Sequence, residues 1–121
     1  MIEISFPDEN AARAAELVQE FRQALLRNGA QPDSIVLGRS DPQAMSLADY
    51  VTIGQNIGHF LVLGLTAVHV AQLACEVCFP AKAGILIKTL EGKEFRLSAD
   101  EIDVNRLTAI LSAAGSDEHR G

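Results

Sequence analysis

From Val51 to Cys75 the chain carries no Asp, Glu, Lys or Arg. At about 25 residues, this stretch is long enough to cross a hydrocarbon layer. It is also long enough to be a central helix buried on nearly every side. Which surroundings it meets decides most of what the sequence implies.

A chain of 121 residues holds one domain with a single core. Apolar residues at 48% and charged residues at 21% make it globular rather than disordered. The net charge is −6, and the ten basic residues are scattered. Nucleic acid and anionic membrane surfaces both call for clustered Lys and Arg, so neither is expected as a main partner. Five Phe, one Tyr and no Trp give no stacking platform for single strands or sugars. Two cysteines are too few for a disulfide scaffold. Residues 1–10 have neither the basic nor the apolar region of a signal peptide, so a cytoplasmic, bacterial-type protein is expected.

Ile2, Ile4 and Phe6 alternate with Glu3 and Ser5, the period of a half-buried strand. Pro7 ends it, and Asp8 is placed to cap a helix. Ala14, Leu17, Val18, Phe21, Ala24 and Leu25 form the apolar stripe of that helix, which Asn28-Gly29 stops. Ser34 to Gly38 reads as a short strand, and Arg39 to Met45 as a loop. A second helix is predicted from about Ser46 to Cys78, with Pro80 barring continuation. Two strands, Gly84–Leu90 and Glu94–Leu97, flank a tight turn at Glu91-Gly92. Ser98 with Glu101 fits a capping box for a last helix that Gly115 closes. The expected fold class is α+β, in the order β-α-β-α-β-β-α. About four strands form one sheet, with a long central apolar helix and two amphipathic helices. Residues 1–115 make the domain, and 116–121 a flexible tail.

Wound as an α-helix, Gln55, His59, Thr66, His69, Gln72 and Glu76 fall close to one line. Every other side is apolar. So narrow a polar seam needs more apolar partners than one small domain supplies. A second copy, a bilayer or a larger internal core would each provide them. Against the bilayer, no Lys or Arg lies between Arg39 and Lys82 to anchor the flanks, and buried His and Gln are costly there. For it, Gly54 and Gly58 have the small-xxx-small spacing of packed membrane helices.

The chemistry-bearing residues form no catalytic constellation. Cys75-Glu76-Val77-Cys78 is a C-x-x-C at a predicted helix C-terminus, where the dipole raises thiol pKa. As metal ligands, Cys75 and Cys78 make half a zinc site. His59 and His69 stand about 15 Å apart along a helix and cannot share a metal. His69 with Glu76 lacks a nucleophile beyond Thr66. Asp100, Glu101 and Asp103 suit a helix N-terminus. No cofactor, metal or enzymatic activity is expected.

The order of an amphipathic helix, a short strand, a long low-charge helix and a terminal hairpin resembles the effector-associated constant component family. The segment from Ile85 through the Glu91-Gly92 turn to Asp100 carries most of the likeness. The resemblance implies a small bacterial α+β protein, the fixed partner of effectors such as proteases or nucleotide-hydrolysing proteins in conflict or defence systems. Neither the cysteine pair nor the histidine-bearing seam matches that family.

These readings converge on a non-enzymatic adaptor or scaffold, a homo-oligomer or a partner of effector proteins. Ile57, Leu61, Leu65, Val68 and Leu73 are its expected contacts, with His59, Thr66 and His69 setting register. The alternative is an inner-membrane-associated component whose helix at about 51–78 inserts in or lies on a bilayer and oligomerises.

Overall fold

The chain was analysed as a computed structural model that describes residues 2–8, 10–38, 50–53, 66–89 and 92–120. Their order is β1 (Ile2–Ser5), α1 (Ala11–Arg27), a 3-10 turn (Pro32–Ser34), β2 (Ile35–Gly38), β3 (Tyr50–Ile53), α2 (Ala67–Ala81), β4 (Ile85–Thr89), β5 (Glu94–Leu97) and α3 (Val104–Arg120). The class is α+β, as the sequence indicates.

The strands form one antiparallel sheet in the order β2-β3-β1-β4-β5. Among the described elements, β1 to β4 follow one another as β-α-β-β-α-β with sheet order 2-3-1-4, two interleaved split βαβ units of ferredoxin-like topology. The β5 strand and α3 are appended to it. Register explains the layering. Ile4 stands opposite Val51 on one side and Ile87 on the other, and Ile85 opposite Leu97. These side chains therefore share one sheet face, and all are buried. They meet Phe21 and Leu25 of α1, Val70, Ala71 and Ala74 of α2, and Leu107 and Leu111 of α3 in a single core. Phe6 packs edge-on against Phe21, ring centroids 5.5 Å apart.

The principal correction concerns the middle of the chain. One continuous helix through 51–78 does not form, because Tyr50–Ile53 is a central strand paired with both β1 and β2. Aromatic and β-branched residues favour that pleated position. The helix begins only at Ala67, where Thr66 is the N-cap and its hydroxyl accepts from the His69 N–H at 3.1 Å. The remainder of the uncharged stretch, 54–65, lies outside the described residues. At its other end α2 runs on to Ala81 with Pro80 inside its last turn. There proline removes one helical hydrogen bond without stopping the chain. The helix closes instead at Lys82, which adopts φ 53° and ψ 42°. Ala83 N–H then reaches the Cys78 carbonyl, and Lys82 N–H that of Phe79. Together these two bonds form a Schellman motif.

Other ends shift as well. The α1 cap is Asn10, not Asp8; its side chain accepts from Ala12 and Arg13 N–H, while Asp8 accepts from Asn10 N–H. Ser98 and Glu101 close a turn rather than a helix end: Glu101 Oε1 accepts from both the Ser98 N–H and its hydroxyl at 2.9 Å. Asp103 does the capping, accepting from Asn105 N–H at 2.7 Å. The α3 backbone continues through Gly115, the expected helix stop, to Arg120. A lone glycine weakens a helix by only about 1 kcal/mol and does not by itself end one. The predicted hairpin forms: Gly92 at φ 90° donates to the Thr89 carbonyl, and Thr89 N–H to that of Lys93.

Candidate interaction surface on helix α2

The α1 and α2 helices run antiparallel and are tied at both ends. At one end Arg13, in the first turn of α1, pairs with Asp8 at 3.1 Å and donates to the Ala81 carbonyl at 2.6 Å. At the other, the Asn28 amide donates to the Ala24 carbonyl at 2.7 Å, and its oxygen lies 3.2 Å from His69 Nε2. With the amide nitrogen turned to Ala24, the oxygen must accept, so His69 is the donor through Nε2. On its other flank α2 packs against α3.

Held between two helices, α2 buries Val70, Ala71, Leu73, Ala74, Cys75, Val77 and Cys78. Besides Pro80 in its last turn, it leaves Val68, Gln72, Glu76 and Phe79 exposed. Those four lie within about 80° of arc on a helix of 3.6 residues per turn. Val68 is 46% exposed and Phe79 is 53% exposed; with Val36 on β2 they are the large exposed apolar side chains among the described residues. Of the predicted polar seam, Gln72 and Glu76 therefore lie on a solvent face, with Val68 and Phe79 at its two ends.

Set against expectation, the contacts divide. Val68 is exposed, Thr66 is the N-cap, and His69 is half-buried and tied to Asn28. Leu73 is 3% exposed inside the chain's own core, which leaves it no face for a partner. Ile57, His59, Leu61 and Leu65 lie outside the described residues. Phe79 went unnoticed in the sequence because it follows the predicted helix end. Its place eleven residues after Val68, three full turns on, was the available signal.

The thiols are structural in character. Cys75 and Cys78 are both free and buried. Burial, then the charge of Asp103, raises the Cys75 thiol pKa. Burial, then Cys75, pushes Cys78 up to about 12. Such thiols are poor nucleophiles and poor ligands. Among the described residues no group of three or more His, Cys, Asp or Glu could hold a metal ion. At 15 residues α2 spans about 22 Å, short of a hydrocarbon core of about 30 Å. No helix among the described residues is long and apolar enough to cross a membrane.

No family model, no curated protein and no solved structure matches this chain.

Proposed function

We propose that the chain is a non-enzymatic adaptor or scaffold that works by protein–protein contact, and that the outer face of α2 is its contact surface. The observation that carries this reading is the pair of half-exposed apolar side chains, Val68 and Phe79, at the two ends of one helical face. The residue types that usually do chemistry support it by their engagements elsewhere. Cys75 and Cys78 fill the core, His69 joins two helices, and Glu101 and Asp103 hold turns and caps. The resemblance to effector-associated constant components extends the proposal to a fixed partner of effector proteins in a bacterial conflict system.

Sedimentation of the purified chain tests the self-association arm. Burying the exposed half of Val68 and of Phe79 is worth about 1 kcal/mol each. Over two protomers that amounts to about 4 kcal/mol, or about a thousandfold in dissociation constant. The variant Val68→Asp/Phe79→Asp should sediment as a folded monomer with unchanged far-ultraviolet circular dichroism. A folded double variant that keeps the wild-type assembly state would overturn the assignment of this surface.

A further inference from the structure

We infer that the α2 face takes a second copy of itself, packed antiparallel across a two-fold axis. This rests on the interaction reading above and names its partner. The argument comes from the order of side chains along the face: Val68, Gln72, Glu76, Phe79. A two-fold interface puts residue i against j and j against i. In antiparallel register about the middle of this face, Val68 meets the partner copy's Phe79 and Gln72 meets its Glu76, each contact occurring twice. The amide is a donor and the carboxylate an acceptor, so the central contacts are complementary. Parallel pairing would instead set Glu76 against Glu76, a repulsion in a partly desolvated seam.

Both polar groups are available for this. Gln72 and Glu76 are exposed, and among the described residues neither has a side-chain hydrogen bond or ion pair. The apolar ends lie about 16 Å apart along the axis, so one antiparallel register satisfies both ends and the middle together. Spacings of four, four and three residues also follow the groove of a facing helix at a shallow crossing angle.

Two experiments on the full chain decide it. In the first, Gln72→Glu places Glu against Glu twice and should weaken the dimer at least tenfold in sedimentation. Exchanging the pair, Gln72→Glu/Glu76→Gln, restores amide against carboxylate and should return the dissociation constant to within about threefold of wild type. An exchange variant as weak as the single one overturns the pairing. In the second, single variants Val68→Cys and Phe79→Cys are mixed and oxidised. Disulfides form only where Cα atoms come within about 7 Å. The mixed 68–79 crosslink should dominate over 68–68 and 79–79. Predominance of either like pair refutes the antiparallel arrangement while leaving self-association intact. A wild-type chain that stays monomeric at high concentration overturns both this inference and the self-association on which it rests.

Discussion

Glycine at position 82 should leave the protein more stable than alanine there, and by an amount the backbone sets. Lys82 closes α2 at φ 53°, the one positive-φ residue other than glycine among those described. The left-handed conformation crowds Cβ against the following carbonyl and costs about 1–2 kcal/mol for a residue with a side chain. Glycine escapes that penalty but gains freedom in the unfolded chain, which takes back about 0.4–1 kcal/mol. Removing a lysine near the helix C-terminus also loses up to about 1 kcal/mol of favourable interaction with the dipole. Alanine isolates the backbone term, since it loses the same charge yet keeps Cβ. Lys82→Gly should therefore exceed Lys82→Ala by about 0.5–1 kcal/mol. With a urea slope of about 1–3 kcal/mol per molar, this is a midpoint difference of about 0.2–1 M. Urea unfolding followed by circular dichroism measures it, and an unchanged slope shows that the denatured state is the same. Equal midpoints for the two variants would refute the reasoning, because the left-handed cap would then carry no strain.

Three further outcomes follow from named contacts. Asn28→Ala removes the bond to the Ala24 carbonyl and the acceptor for His69, and should cost about 1 kcal/mol in the same assay; no loss would mean that the α1–α2 tie is idle. With Cys78 pushed up to about 12 and both thiols buried, neither should react with a disulfide reagent at pH 8 within minutes, while urea should release both. Fast titration of the native protein would contradict their burial. Ser98 hydrogen bonds, backbone first, hold the Glu101 carboxyl below its usual range. The folded state then binds fewer protons there than the unfolded state, so this contribution is present above the unfolded value of about 4.3 and is lost as pH falls through the lowered folded value. Glu101→Gln should flatten the acid side of the stability profile, and an unaltered profile would show that the turn does not depend on the ionised form.

What the sequence made legible was whatever local pattern alone determines. Alternation in Ile2–Phe6, the apolar stripe of α1, its Asn28-Gly29 stop and the Gly92 turn each need only near neighbours, and all are found. The β3 strand was missed because an uncharged run hides a change of period. Tyr50-Val51-Thr52-Ile53 alternates and is aromatic and β-branched, but apolar residues follow it without a charged break. Reading through it joined a strand to a helix fourteen residues further on. It also hid the topology, since β-α-β-β-α-β is recognisable only when β3 is counted. The caps failed for a related reason. Asp8 and Asn10, or Ser98 and Asp103, are equivalent as sequence signals, and tertiary packing decides which begins the helix.

The same misreading misplaced part of the apolar surface, Leu73 above all. A helix running from 51 to 78 would have needed shielding all round. Divided at Ile53 and restarted at Ala67, the apolar residues of the described part are mostly absorbed by the sheet face and by α1 and α3. On the described part of α2, what remains outward is one narrow face. Leu73, expected on the apolar surface of one long helix, is inside because its position on α2 points it at the core; Phe79 is outside because Pro80 does not end the helix before it. The case for association therefore no longer rests on bulk hydropathy. It rests on two half-exposed side chains and the order of the polar residues between them, a far smaller surface that two substitutions can abolish.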